Sequence, residues 1–316
     1  MTTSGAPVAA IDCGTNSTRL LVVDAGGTVL DRRMVVTRLG QGVDATRRLD
    51  PVAIDRTVAV LRDYRDVMDG LGVVQVRLVA TSAVRDASNA EAFFEPAEAV
   101  SGARPELLSG ADEARLSFAG ATARLPDGWD RDEPVMVVDI GGGSTELAVG
   151  SPSETAVSAQ SVSAQSVDVG CVRVTERLLG DDPPTSDQLA RARQVVRAEL
   201  MGARDVLAEP GRAGWLVGLA GTVSTLAMLA NRVGTYERRL VHHRVLERRD
   251  VEEWLVRLAA QPASARAEMP GMVEGRADVI VGGVVVLAEV MSVFGRDRCL
   301  VSEDDILDGL AASLLG

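Results

Sequence analysis

Two short segments place a carboxylate just ahead of small hydrogen-bonding residues: Asp12-Cys13-Gly14-Thr15-Asn16-Ser17 and Asp139-Ile140-Gly141-Gly142-Gly143-Ser144. They sit 127 positions apart (139 − 12) inside two similar phrases, IDCGTNSTRLLVVD and VDIGGGSTELAVG. Glycine in such a turn permits positive φ and lets consecutive N–H groups converge on one anion, phosphate being the usual guest. Aspartates beside a phosphate site make sense if a divalent cation bridges protein and phosphate oxygens, because the like charges otherwise repel. The same residues serve equally as glycine hairpin turns with Asx-turns at Asp12 and Asp139, and composition alone leaves both readings open.

Three further groups could contribute chemistry. In GLAGTVSTLAML (218–229), Gly221 and Thr222 stand where a helix N-terminus meets an anion, or where a packed glycine turn is capped by threonine. Arg19 and Arg85 could grip phosphate oxygens through the guanidinium fork, or pair at the surface with Asp24 and Asp86; Arg276 in EGRAD has the same alternatives. SGADEARL (109–116) resembles a capped helix start with acids in its first turn. In the functional reading Glu113 deprotonates a water attacking phosphorus, a role worth roughly 10² to 10⁴ in rate. The chain's two histidines, His242 and His243, are adjacent in a basic run, so a carboxylate is the natural candidate base.

Elements able to position these groups follow from periodicity. The first part reads βββαβαβα: a hairpin meander with a third strand over 29–40, a helix capped by Asp50 with Pro51 in its first turn, a strand in VVQVRLVATSAVRDA, a helix capped by Ser88, the short strand PELLS and a helix over GADEARLSFAGATARL. Polar, turn-rich LPDGWDRDEP (125–134) marks a boundary. The second part opens on another hairpin, continues through a tandem VSAQS repeat whose alternation favours a strand, and adds helices over 186–207, 222–232, 249–260, 276–294 and 303–315 around a strand at 215–221. A flexible loop is the other reading of the repeat.

Composition excludes several classes. A net charge of −12 and 3% aromatic residues argue against a nucleic-acid ligand, although RRLVHHR (238–244) could draw a small or chain-like anion. Cys13, Cys171 and Cys299 are scattered, which suggests neither a zinc site nor a disulfide framework and fits a reducing cytoplasm. The uncharged run VIVGGVVVLA (279–288) is too short to span a bilayer and reads as a buried core helix, so no membrane partner is expected.

Seven motifs, IDCGTNSTRLLVVD, ATSAVRDASNAEAF, LLSGADEARLSFAGA, VVDIGGGSTELAVG, GCVRVTERLL, GLAGTVSTLAML and RADVIVGG, occur in the order found in the exopolyphosphatase / guanosine pentaphosphate phosphohydrolase family, which the chain resembles over nearly its whole length. That family belongs to the actin, sugar-kinase and heat-shock-chaperone superfamily. The resemblance implies an α/β fold of two ribonuclease-H-like (actin-like ATPase) domains, mixed sheets flanked by helices, facing an interdomain cleft. The expected domains are 1–128 and 129–302, with a terminal helix at 303–316 that packs back on the first.

By the same resemblance, Glu113 is the catalytic glutamate. Gly14, Thr15, Asn16, Ser17, Arg85, Gly141, Gly142, Gly143, Ser144, Gly221 and Thr222 are then expected to bind phosphate, and Asp139 and Glu146 to hold the metal, Mg2+ or Mn2+, with K+ as a candidate activator; the reading of the first hairpin adds Arg19 to the phosphate set and Asp12 to the metal set. The implied reaction is release of orthophosphate from inorganic polyphosphate, with guanosine tetra- and pentaphosphate as further candidate ligands and a homodimer as the assembly. Asp112 stands at the first glutamate of the family's EE pair, and Cys13 at a usual aliphatic position. The additional C-terminal helical domains of long members are absent from this sequence, which directs the expectation toward short polyphosphate chains.

Overall fold

The repeated phrase folds twice into the same hairpin. In the computed structural model, which describes residues 5–153, 162–208, 210, 211 and 213–316, β1 (Val8–Cys13) turns at Gly14–Asn16 into antiparallel β2 (Ser17–Val23), and β3 (Val29–Val36) pairs antiparallel beyond it. β4 (Gln75–Ala80) and β5 (Glu106–Leu107) add parallel strands on the other side, giving the order β3-β2-β1-β4-β5. Later in the chain, β6 (Val135–Ile140), β7 (Thr145–Gly150) and β8 (Ser163–Val167) repeat the meander. β9 (Trp215–Leu219), β10 (Val245–Glu247) and β11 (Arg298–Val301) complete a sheet ordered β10-β11-β9-β6-β7-β8, in which β6, β9 and β11 run parallel. The fold is thus mixed α/β with two sheets flanked by helices. The second VSAQS copy forms β8, while the first, at 157–161, lies outside the described residues.

Two compact units divide the chain, Met1–Gly120 with Ile306–Gly316, and Ala121–Asp305. Arg124 pairs with Asp304 at 3.0 Å and the Trp129 and Trp215 rings lie 5.1 Å apart, all within the second unit.

In the first unit, the helix Pro51–Gly70 starts where Asp50 accepts from the Val52 N–H at 2.7 Å, and its Ile54, Val58, Leu61 and Met68 cover one face of the sheet. On the other face, Ile306, Leu307, Leu310 and Ala311 of the helix Ile306–Leu315 pack on Val8, Ala10, Leu21 and Val23. Ser88 is not the cap of the next helix. Its hydroxyl donates to the Arg47 carbonyl (3.0 Å) and the helix begins at Glu91, because Asn89 is drawn into main-chain bonds with Leu49 at 2.8 and 3.1 Å.

The core of the second unit is the helix Ile280–Val293, whose residues 280–291 are all buried. Each apolar side chain so removed from water contributes about 1.5–3 kcal/mol. One charge is buried with them: Glu289 is 0% exposed and receives Arg193 Nε (2.6 Å) and Arg197 Nε (2.7 Å) from the helix Ser186–Val206. Pairing of this kind removes the cost of an isolated buried carboxylate. Among the described residues no helix is long and apolar enough to cross a membrane.

Candidate active site

Both hairpin turns are closed by the same bond. Gly14 N–H donates to the Ser17 carbonyl at 3.0 Å, and Gly141 N–H to the Ser144 carbonyl at 3.0 Å. The neighbouring carbonyls are then held from behind. In the first unit Thr15 O accepts from Gly40 N–H (2.9 Å), and Asn16 O from Thr37 and Arg38 N–H (3.1 and 2.9 Å). In the second, Gly141 O accepts from Cys171 N–H (2.9 Å), and Gly142 O from Val172 and Arg173 N–H (2.9 and 3.1 Å). A trans peptide points its N–H opposite its C=O. The N–H groups of Asn16 and Ser17, and of Gly142 and Gly143, are therefore turned away from these supports, the orientation an anion-binding loop requires. The helix Cys171–Leu178 spends its first N–H groups on the glycine loop, so its N-terminus shapes that loop instead of binding an anion itself.

Side chains reinforce the first loop. Asn16 is 5% exposed and Ser82, just past β4, is 1% exposed, yet Asn16 Nδ2 and Ser82 Oγ find no hydrogen-bond partner among the described residues. Such buried donors are costly unless a ligand completes them. Arg19 faces Asp12 across β1 and β2 and donates to its Oδ2 from Nε (3.0 Å) and Nη2 (2.6 Å). Arg19 is thus an ion-pair partner within the loop. Arg85 Nη1 donates to the Leu108 carbonyl (2.9 Å) and lies 3.5 Å from Glu113 Oε2. The two acids of SGADEARL differ sharply, since the Glu113 side chain is 12% exposed beside Arg85 and that of Asp112 is 58% exposed, bonded to Ser109 (2.6 Å) and Arg115 (3.2 Å). Ser109 Oγ accepts from the Asp112 N–H at 3.2 Å, with Asp112 as its partner in the first turn, and Glu113 faces inward.

The second loop reverses one charge. The register that sets Arg19 opposite Asp12 sets Glu146 opposite Asp139, and both acids are buried, at 2% and 6% exposure. Like charges directly across strands are unfavourable unless a positive charge accompanies them. Ser166 Oγ donates to Glu146 Oε1 at 2.8 Å. Among the described residues no three His, Cys, Asp or Glu side chains form a ready metal cage. Two hard oxygen donors still fit a divalent ion of the magnesium type, which keeps much of its shell for water and substrate oxygens.

Gly221 and Thr222 fall in the first turn of the helix Ala220–Ala230, directly after β9 and beside β6. Thr222 is no cap there. Leu219 holds the cap position and Thr222 is buried against Gly283, where a Cβ would lie 2.2 Å from its Oγ1. Arg276, for which the sequence leaves a phosphate and a surface role open, is 6% exposed, and its guanidinium occupies the space of a Gly221 side chain, 2.3 Å from the Cβ position. Arg173 is also buried at 6% and pairs with Asp168 at 2.9 Å. Sequence reasoning missed Arg173, Ser82 and the burial of Arg276; each stood inside a quoted motif but carried no periodic or charge signal.

The basic run 238–244 is tamer than it reads. Arg238 pairs with Asp304 at 2.5 Å and Arg239 with Glu237 at 2.6 Å. Burial, then Arg238 and the stacked His243 ring 3.6 Å away, hold His242 down at about 4, so it is neutral near pH 7. Asp304 is lowered to about 2: burial opposes this, but the Arg124 hydrogen bond and the charges of Arg238, Arg124 and His242 outweigh it. Between pH 4 and 6.5 the unfolded chain binds the proton that native His242 refuses, so stability rises with pH across that window. Thermal melts from pH 7 to 4 should show a falling Tm, and His242→Gln should flatten that slope. Below pH 4 the Asp304 contribution is lost as well.

The Ppx/GppA phosphatase family model matches residues 9–316. Exopolyphosphatase 2 of Mycobacterium tuberculosis is 43% identical over 98% of both chains, and Exopolyphosphatase 1 of Mycobacterium leprae is 30% identical over 87% of this chain and 80% of its own. Among solved structures, an exopolyphosphatase-like protein superposes with a TM-score of 0.90 at 35% identity over 98% of both chains. The Aquifex aeolicus member of the Ppx/GppA family does so with 0.79 at 30% identity, again over 98% of both chains. Twin turns closed by the same bond, an inward glutamate beside an arginine and a family match along almost the full length lead to one assignment: the chain belongs to the Ppx/GppA phosphatase family.

Proposed function

We propose that this protein is an exopolyphosphatase that hydrolyses the terminal phosphoanhydride bond of inorganic polyphosphate, short chains among its substrates, and releases orthophosphate. The observation that carries the reading is Glu113, buried beside Arg85 while its neighbour Asp112 is turned to solvent. Glu113 takes a proton from a water as its oxygen attacks phosphorus; the bond to the bridging oxygen breaks, and the shortened chain leaves with that oxygen. Among the described residues Arg85 makes its protein contacts through Nη1, and the rest of its fork suits a phosphoryl oxygen.

In the first unit the N–H groups of Asn16 and Ser17 and the Ser17 hydroxyl bind phosphate oxygens, and in the second unit the N–H groups of Gly142 and Gly143 and the Ser144 hydroxyl do the same, Gly14, Thr15, Gly141 and Gly221 giving the turns their shape. Placed donors of this sort supply most of the catalysis in phosphoryl transfer. A divalent cation, magnesium or manganese, bound by Asp139 and Glu146 would offset further phosphate charge. Within the first unit Asp12 is a candidate cation ligand of its own, in competition with Arg19, which already holds its Oδ2. The enzyme acts as a cytoplasmic homodimer.

Purified protein with magnesium, with and without potassium, should release orthophosphate from tripolyphosphate and longer polyphosphate. The same assay on guanosine pentaphosphate reads whether the nucleotide is also cut, and silence on every substrate would sink the reading.

A further inference from the structure

We infer that Arg19 is a built-in cation, doing in the first hairpin what a divalent ion does in the second, so that the chain takes a divalent ion at Asp139 and Glu146 and none at Asp12. This rests on the cation reading above and decides the competition at Asp12 in favour of Arg19. The two hairpins are one scaffold made twice. Asp12 and Arg19 are seven positions apart (19 − 12), as are Asp139 and Glu146 (146 − 139), and each pair stands opposite across its two strands. Each turn is closed by the same glycine-to-serine bond. Asp12 is 3% exposed and Asp139 6%. A buried carboxylate beside a loop that receives phosphate needs positive charge next to it.

In the first hairpin the chain itself supplies that charge. Arg19 reaches Asp12 Oδ2 from Nε (3.0 Å) and Nη2 (2.6 Å), and a guanidinium stays charged at every working pH. A divalent ion at Asp12 would have to displace both donors and then stand beside their positive charge. In the second hairpin the same place holds Glu146, a change of two charge units, so the pair gathers negative charge where the first cancels it. The third strand repeats the difference. Opposite Arg19 on β3 stands Met34, whereas opposite Glu146 on β8 stands Ser166, whose Oγ donates to Glu146 Oε1 at 2.8 Å. Carboxylates that ligate a metal are themselves held by hydrogen-bond donors, and a thioether has no proton to give. Across the three strands one unit thus reads Asp-Arg-Met, an ion pair, and the other Asp-Glu-Ser, a ligand pair with its support.

Electron paramagnetic resonance of free Mn2+, titrated into the purified protein without substrate, tests this. The wild type should bind one Mn2+ per chain; Glu146→Gln should lose it, Ser166→Ala should weaken it about 10-fold, and Asp12→Asn should keep it. Mg2+ should correspondingly raise the Tm of the wild type and of Asp12→Asn, and leave that of Glu146→Gln unmoved. Arg19→Glu combined with Met34→Ser copies the second set into the first hairpin and should take up a second Mn2+. Where circular dichroism shows that variant unfolded, Glu146→Arg replaces it: it should bind no Mn2+ and, in the absence of metal, melt above Glu146→Gln, because its guanidinium pairs with Asp139 as Arg19 does with Asp12. Two ions on the wild type with one lost in Asp12→Asn, a folded R19E/M34S that still holds one, or a Glu146→Arg that melts below Glu146→Gln overturns the role of Arg19 alone. No ion on the wild type overturns the cation site with it. Orthophosphate release is assayed separately, so failure of the exopolyphosphatase reading is seen apart from both.

Discussion

Glu113→Gln should lose orthophosphate release by roughly 10² to 10⁴-fold while folding as the wild type does. The substitution keeps the shape of the side chain and an oxygen near Arg85, and removes only the capacity to accept a proton. Substrate affinity should therefore change little, so the loss falls on kcat and not on KM. Asp112→Asn is the informative companion. Its side chain is 58% exposed and bonded to Ser109 and Arg115, so its removal should leave kcat within a few-fold of wild type and cost less than about 1 kcal/mol of stability as an altered helix cap. Steady-state phosphate release and a thermal melt on both variants check this. Equal activity in Glu113→Gln and wild type would move the base elsewhere.

Gly170→Ala should be the second large effect, at a position with no obvious chemistry. A Cβ there would sit 2.4 Å from Gly142 O, 2.5 Å from Gly142 C and 2.7 Å from Gly143 C, all backbone atoms that have no rotamer to escape into. The methyl group must push the glycine loop off the N–H groups of Cys171, Val172 and Arg173. Overpacking of this kind costs about 1–3 kcal/mol. The functional loss should be larger, because the loop's N–H groups lose their aim: kcat/KM should fall by about 10²-fold, the magnitude seen when placed oxyanion donors are removed. Gly202→Ala, where a Cβ meets nothing within 4 Å in the middle of a helix, is the control and should be neutral or stabilising by up to about 1 kcal/mol. Wild-type kcat/KM in Gly170→Ala would mean that the glycine loop does not hold substrate.

Much of this was legible before the structure, and the reasons differ by residue. The paired hairpins could be read because an acid, a glycine and hydroxyl residues recur between aliphatic strands, a coincidence that ordinary turns do not need. The helix over 280–293 announced itself by hydrophobicity, and Asp50-Pro51 by cap chemistry. β10 and β11 were invisible: at three and four residues they are too short to alternate, and they exist because β9 offers an edge to β11 and β11 to β10.

The distinction between Asp112 and Glu113 also required three dimensions. Adjacent helical residues point about 100° apart, so one faces solvent and the other the interior, but sequence does not say which. Arginines were the hardest to read. Nothing in the sequence marks Arg276 and Arg173 as buried, yet Gly221 leaves room for the first and Asp168 pairs with the second. The histidine pair misled in the opposite sense, since packing and neighbouring arginines strip the run of charge that its letters promise.

Exopolyphosphatase action rests on attack at the chain end, and a time course on polyphosphate of defined length, resolved by gel and by orthophosphate assay, tests it most directly. Orthophosphate should appear from the earliest time point, with the chain shortening from its end, and Glu113→Gln should leave the chain intact. Fragments of intermediate length without orthophosphate, or a chain that the wild type leaves untouched, would contradict the account.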